Sequence, residues 1–460
     1  MFSRFPYRLY NAALVAGAPL LLPYYGFRAA RHGKYLPGLK ERFGFLPESL
    51  AATAENRPTI WFHCVSVGEV LAARPLALAL REACPAARFV VSTTTETGQA
   101  RAREQLAWMD GWFYFPLDLP GVAERAVRHV RPSLVVVMET EIWANFLRVC
   151  TRKEIPVVLA NGRISDRSFP RYKKLGGAMA DLLGRFTKLL MQSDGDAERI
   201  VALGAPSDRV KMTGNLKYAA PDADERARQD RIAADLAARF NLSAPSSLIS
   251  HPSSLPLIVA GSTVEGEEPL VLEAFAAIRA TPGLENARML LAPRHPQRFD
   301  EVRKLLDGGI FQYAVRTKPG PADATAPVIL LDTVGELAAA YRFGDAVFVG
   351  GSLVPRGGHS ILEPAAVARP VMTGPHTENF RDILRTFRAA EAVRQLETGT
   401  SAELAKVFIE ILTDPDTAAR LGERAFQTFT SQTGAAARAR EEIMALLSLE
   451  SGVESLESEN

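Results

Sequence analysis

Hydrophobic residues fall along this chain in short, nearly unbroken runs separated by longer stretches of helical spacing. Seven runs come early, at 59–67, 88–93, 112–116, 133–139, 155–161, 188–193 and 209–214. Strands covered on both faces lack the polar–apolar alternation of half-exposed ones, so these runs predict parallel strands. Between them, segments such as 68–84 and 97–109 have a helical pattern. The alternation predicts a doubly wound α/β domain over about residues 55–215. The rhythm breaks at 219–256, where a charged helical segment leads into the Ser/Pro-rich "NLSAPSSLISHPSSLP", which has linker chemistry. It then restarts with runs at 257–262, 288–293, 327–332, 345–351 and 370–374, and helices follow from about Ser401. Two α/β domains in tandem follow from the pattern, with an acidic, frayed tail at 448–460.

The N-terminus departs from this pattern. Leu9 to Phe27 is 19 residues without a charge, close to the roughly 20 that span a bilayer core as a helix. Asn11, Pro19 and Pro23 interrupt it, so an interfacial anchor stands beside a spanning one, and a cleaved signal is the third reading. Arg4 and Arg8 precede the run, while Arg28, Arg31, Lys34, Lys40 and Arg42 follow it. The heavier basic flank on the C-terminal side predicts that the body stays cytoplasmic.

Composition narrows the function classes. The chain is 47% hydrophobic and 23% charged with net charge +2, a globular balance that gives no support for a nucleic-acid partner. Cys64, Cys84 and Cys150 have no metal-ligand spacing and fit reduced structural thiols. Three Asp-x-Asp pairs (Asp194/Asp196, Asp222/Asp224, Asp414/Asp416) fall at a helix start, in the linker and in a late loop. They read as caps and turns, and no catalytic metal is expected.

In open parallel sheets ligands bind outside the carboxyl ends of the strands, so the chemistry offered there matters most. Glu69 follows the first run, and Glu139 ends the fourth in "VVVMETE". Either carboxylate suits general-base work, while a helix-start cap is the plainer reading of Glu69, and Glu141 reads as a cap of the helix that follows it. Arg163 and Arg167 lie in the basic loop "NGRISDRSFPRYKK" after the fifth strand, where they could meet an anionic ligand, and Lys217 follows the seventh. In the second domain, Gly261, Ser262 and Thr263 form a strand-to-helix turn, and Arg294 and His295 end another strand. "FVGGSLVPRGGHSILEP" (348–364) places two Gly pairs before a helix expected near Ser360, where N–H groups could face a phosphate. Glu363 could complete a capping box with Ser360 or hold ribose hydroxyls.

Taken in order, "SVGE", "METEIW", "NGRIS", "GNLK", "AGST", "PRH" and "GGHSILEP", with the apolar N-terminus, resemble the 3-deoxy-D-manno-octulosonic acid (Kdo) transferase family. Ala144 stands where that family usually has Pro, and Ser360 where it often has Asn. The resemblance implies a GT-B architecture with two Rossmann-like domains facing a cleft. Its parts would be an anchor and basic flank (1–35), an acceptor-binding domain (36–218), a linker (219–256), and a CMP-sugar-binding domain with the terminal helices (257–447). It implies an inverting transfer of Kdo from CMP-Kdo to lipid IVA at the cytoplasmic face of a bacterial inner membrane, with no cofactor and with membrane lipids as partners. Glu69 resembles the family's general base, and Glu139 and Lys217 its transition-state stabilisers. CMP contacts would map to Pro293, Arg294, Val334, Gly335, Glu336, Ser360, Ile361, Leu362 and Glu363. Another sugar-nucleotide enzyme of the same architecture is the nearest alternative, and a non-catalytic membrane-bound lipid-binding protein is the alternative from a different class.

Overall fold

The computed structural model describes residues 6–17, 38–51, 57–243 and 255–457. It divides into two compact units: 1–219 with 433–460, and 220–432. Among the described residues, each unit is built on a seven-stranded, wholly parallel sheet.

The first sheet contains β1 (Thr59–Cys64), β2 (Arg88–Thr93), β3 (Gly111–Tyr114), β4 (Leu134–Met138), β5 (Val157–Gly162), β6 (Lys188–Met191) and β7 (Val210–Met212) in the order 3-2-1-4-5-6-7. Alternate side chains of one strand enter different cores, which is why the runs are continuously apolar. Trp61 joins Phe113, Val135 and Leu159 on one face, while Ile60 and Phe62 join Val91, Val136 and Val158 on the other. Trp61 meets Phe113 and Phe146 at ring-centroid distances of 5.1 and 5.2 Å, and its indole N–H donates to Ser92 Oγ at 2.7 Å. His63 is sealed in β1, its ring stacked on Phe115, and burial lowers its pKa to about 3. It is a neutral core residue and takes no part in proton chemistry at neutral pH.

The second sheet contains β8 (Leu257–Thr263), β9 (Arg288–Pro293), β10 (Tyr313–Val315), β11 (Val328–Leu330), β12 (Ala346–Val349), β13 (Val371–Thr373) and β14 (Arg394–Gln395). Its order is 10-11-9-8-12-13-14, so apart from the edge strands β10 here and β7 in the first sheet the two share one winding.

Two features depart from the sequence-based expectation. The last helix, Ala435–Glu457, groups with the first unit rather than with 257–447, and Ala435, Ala439 and Ile443 complete the core under Leu76, Leu80 and Leu216. It also runs into the stretch expected to fray. The charged helix Ala223–Phe240, expected in the linker, belongs to the second unit, where Arg239 pairs with Asp323 at 2.8 Å. No helix among the described residues is long and apolar enough to cross a membrane. The N-terminal run is helical over 7–17, where Tyr7 packs on Ala144 and Leu182. Residues 18–37, with the rest of that run and Arg28, Arg31 and Lys34, lie outside the described residues, as do 1–5 with Arg4, and 244–254 of the linker.

Candidate active site

In the first sheet β1 and β4 are neighbours, and the chain leaves them towards opposite edges, which opens a crevice at their carboxyl ends. Glu69 stands there, in the first turn of the helix Val67–Ala83, and is only 7% exposed. Its Oε2 accepts the Val65 N–H at 2.7 Å and its Oε1 accepts the Ser66 hydroxyl at 3.2 Å. The capping reading is therefore realised, yet it does not exhaust the residue. Burial raises the Glu69 pKa to about 8, and the nearby Glu139 and Glu141 push the same way against those two hydrogen bonds. A carboxyl tuned close to neutrality can exchange a proton with a ligand hydroxyl.

Glu139 directly follows β4 with φ 55°, a left-handed conformation uncommon for a residue with a side chain. Its own N–H is bonded to Ala160 O at 2.9 Å, and its carboxylate meets Lys217 Nζ at 2.9 Å. Lys217 arrives on the 213–218 loop, which is tied down twice. Asn161 Oδ1 accepts the Leu216 N–H at 2.9 Å, and Arg438 Nε donates to Thr213 O at 2.8 Å. The structure thus brings Glu69, Glu139 and Lys217 to one end of the sheet. Glu141 belongs with them: burial and the Glu139 charge raise its pKa to about 7. It does not cap the next helix, which starts only at Ala144. Asp118, buried after β3, caps that helix instead, accepting the N–H groups of Asn145 and Phe146 at 2.9 and 2.8 Å. It also accepts the Tyr10 hydroxyl at 2.8 Å and so pins the N-terminal helix.

The basic loop is anchored by Asp196, which accepts the Ile164 N–H at 2.8 Å, and by Arg199, which donates to Ile164 O at 2.7 Å. Arg163 is half-buried, its backbone bonded to the Thr140 hydroxyl, and Arg167 is exposed. Of the Asp-x-Asp residues, Asp222 and Asp414 are helix caps, and Asp196 is the loop anchor just described. No three His, Cys, Asp or Glu side chains gather as metal ligands would among the described residues.

The second unit offers a different surface. Pro293 is buried and Arg294 exposed, with the Arg294 N–H bonded to Thr263 O at 2.8 Å. Val334 is 64% exposed and Gly335 turns with φ 85°. Glu336 is clasped by Arg316 through two bonds of 2.8 and 2.9 Å and by the Thr333 hydroxyl at 2.6 Å. Burial would raise its carboxyl, but those partners outweigh it and hold the pKa below the usual range. The helix expected near Ser360 is short and begins at Leu362, and the Ser360 hydroxyl makes a long 3.4 Å contact with the Leu362 N–H. Ile361 and Leu362 point into the core, so only their backbone can meet a ligand. Glu363 keeps exposed surface, and the Arg294 charge acts on its carboxylate. The first Gly pair does not offer open N–H groups, because Glu267 occupies the turn that it begins.

Asp118, Glu141 and Glu267 were not singled out from the sequence as parts of the site. Consecutive acids opening a helix after a strand ("VEGEE") were a usable signal for Glu267, whereas Asp118 caps a helix 26 residues downstream and had none.

Two doubly wound parallel sheets, one with tuned carboxylates at its switch point and the other with a glycine turn beside an exposed arginine, define a GT-B-like α/β enzyme. Residues 37–220 match the family described as 3-Deoxy-D-manno-octulosonic-acid transferase (kdotransferase). The 3-deoxy-D-manno-octulosonic acid transferase of Haemophilus influenzae is 33% identical over 430 residues, covering 93% of this chain and 96% of that one. The Bordetella pertussis enzyme of the same name is 31% identical over 94% of this chain and 97% of its own length. The chain belongs to the Kdo transferase family. A UDP-GlcNAc 2-epimerase from Neisseria meningitidis shares the fold at TM-score 0.55 with 12% identity, over 85% of this chain and 100% of that one.

Proposed function

We propose that this transferase moves Kdo from CMP-Kdo to lipid IVA with inversion, using Glu69 as general base. The observation that carries the reading is the buried Glu69 at the switch point of the first sheet, its pKa raised to about 8 beside the Glu139–Lys217 pair. A sugar hydroxyl is a weak nucleophile and needs a base within hydrogen-bond reach. Glu69 takes the hydroxyl proton as the oxygen bonds to the anomeric carbon of Kdo. The bond from that carbon to the CMP phosphate oxygen breaks, and CMP leaves with the electron pair. Attack opposite the leaving group inverts the centre. Lys217, held by Glu139, and Arg294 are the cations assigned to the charge that develops. Val334 and Gly335 offer an apolar face and a turn to the cytosine, and Glu363 an acceptor to the ribose. The acceptor carries phosphates, which gives Arg163 and Arg167 a partner. Nucleic acid has no part in this reading, and no metal is assigned a role.

The same reading places the enzyme at the cytoplasmic face of a bacterial inner membrane. Helix 7–17 supports a surface contact there, because Leu9 is 70% and Val15 58% exposed. Cosedimentation with vesicles of anionic phospholipid tests the contact, which should weaken when both are changed to Ser.

The decisive experiment supplies CMP-Kdo generated in situ and lipid IVA, and follows the lipid by mass for the wild type and Glu69→Gln. The expected result is a mass gain in Kdo increments for the wild type and almost none for the variant. Transfer by the variant at the wild-type rate overturns the base assignment. A folded wild type that leaves the lipid unchanged and releases no CMP overturns the donor and acceptor together.

A further inference from the structure

The turn Gly350–Leu353 follows β12 and faces the end of β8, at the switch point of the second sheet. A nest of successive backbone N–H groups in that position is an anion site. Here the protein supplies its own anion. Glu267 is fully buried; its Oε2 accepts the N–H groups of Gly351 at 2.7 Å and Val264 at 3.0 Å, and its Oε1 those of Ser352 and Leu353, both at 2.7 Å. The fit requires glycine: a Cβ on Gly350 would lie 2.7 Å from Glu267 Oε2 and 2.8 Å from Ser262 O.

The braced turn holds what lies around it. Gly350 O accepts from His359 Nδ1 at 2.9 Å, and Gly351 O accepts the Gly358 N–H at 2.7 Å. Ser352 O accepts the His376 N–H at 3.0 Å, and Ser352 Oγ the Gly374 N–H at 2.8 Å. His359 directly precedes the Ser360–Glu363 stretch.

We propose that Glu267 is a positioning residue for the donor: it holds the Gly350–Leu353 turn, and through His359 and Gly358 it sets the backbone of Ser360–Glu363 against the nucleotide. This rests on the CMP-Kdo reading above. It also makes the turn a brace rather than the phosphate cradle that its glycines suggest. The chemistry is specific to a carboxylate. Each Glu267 oxygen accepts two N–H groups, so a glutamine would point its NH2 at two donors and leave them unsatisfied in the interior. Aspartate would withdraw the charge by one methylene.

The test uses the full chain and CMP itself as ligand. Calorimetric CMP affinity, the KM values of donor and acceptor, kcat and Tm are compared for the wild type, Glu267→Gln and Glu403→Gln. Glu403 is a matched control, because it also accepts three turn N–H groups, from Glu397, Thr398 and Gly399, in a different and exposed loop. The expected result is a Kd for CMP and a donor KM at least about tenfold higher in Glu267→Gln, with the acceptor KM unchanged and kcat less affected. Glu403→Gln should lower Tm and leave CMP affinity alone. Wild-type CMP affinity in Glu267→Gln, measured below its unfolding temperature, overturns the proposal. If that variant does not fold, Glu267→Asp takes its place with the same two outcomes. A wild type that transfers Kdo by mass but shows no CMP binding separates the two claims, overturning the positioning role and leaving the transfer standing.

Discussion

Each sheet reverses its winding between equivalent strands, and each places a glutamate at that point. Glu69 at the end of β1 has two donors, the Val65 N–H and the Ser66 hydroxyl, and two carboxylate neighbours. Glu267, after β8, has four backbone N–H groups. Burial raises both pKa values, yet the surroundings assign different work. An under-bonded carboxylate beside like charges gains from taking a proton, which makes it a reagent. One whose two oxygens each satisfy two donors would lose hydrogen bonds by taking a proton, and it becomes part of the framework. Topology supplies the crevice, and the hydrogen-bond count decides whether it is a reaction site or a keystone.

The sharpest way to break this contrast is to neutralise Glu69. Glu69→Gln should lower kcat by about 10²–10⁴-fold with little change in donor KM, the reverse of the split expected at Glu267. A donor-KM effect at Glu69 with normal kcat would erase the distinction. In the wild type the rate should rise with pH, since the carboxylate is the active form, and level off above about 8, where Glu69 is ionised. Any rate left in Glu69→Gln should lack that limb.

A smaller effect belongs to the ion pair. Lys217→Ala and Glu139→Gln should each cost roughly 10–100-fold in kcat, and the double variant should be little worse than either alone, because the two act as one unit. Folding stability should move by no more than ~1 kcal/mol, since both side chains are partly exposed. Additive losses in the kinetic double-mutant cycle would mean that Glu139 does more than hold Lys217.

Much of this was legible in the sequence, for identifiable reasons. Most of the runs became strands because burial on both faces leaves no polar alternation to blur them, whereas β7, at the edge, is largely exposed. Tyr313–Val315 and Arg394–Gln395 escaped notice because they are edge strands of three and two residues, too short to show a period. Glu69, Glu139 and Lys217 were readable as strand-end residues. Their gathering depends on β1 lying beside β4 and on the Asn161 and Arg438 ties, which no local pattern records. The Gly pair at 350–351 read as a phosphate loop because glycine spacing marks a turn without saying what fills it. The return of the last helix to the first unit was equally silent: Ala435, Ala439 and Ile443 would suit either core.

The smallest expected effect concerns stability, and its sign is fixed by linkage. The Glu69 pKa is about 8 in the folded protein against an ordinary 4.5. Below pH 4.5 folded and unfolded chains both hold the proton, and the native environment is at its most favourable. As pH rises towards 8 the unfolded chain releases the proton while the folded one retains it, so stability is lost across that window and the loss levels off above it. Glu69→Gln cannot ionise and escapes the loss. Its Tm relative to the wild type should therefore climb between pH 5 and 8 by about a few degrees and then stay flat. The same scan on Glu267→Gln should show a lower Tm than the wild type throughout, because two of the four N–H groups lose their acceptor whatever the pH. Parallel Tm curves for the wild type and Glu69→Gln would mean that Glu69 is bonded as completely as Glu267, and the two switch points would then differ in position alone.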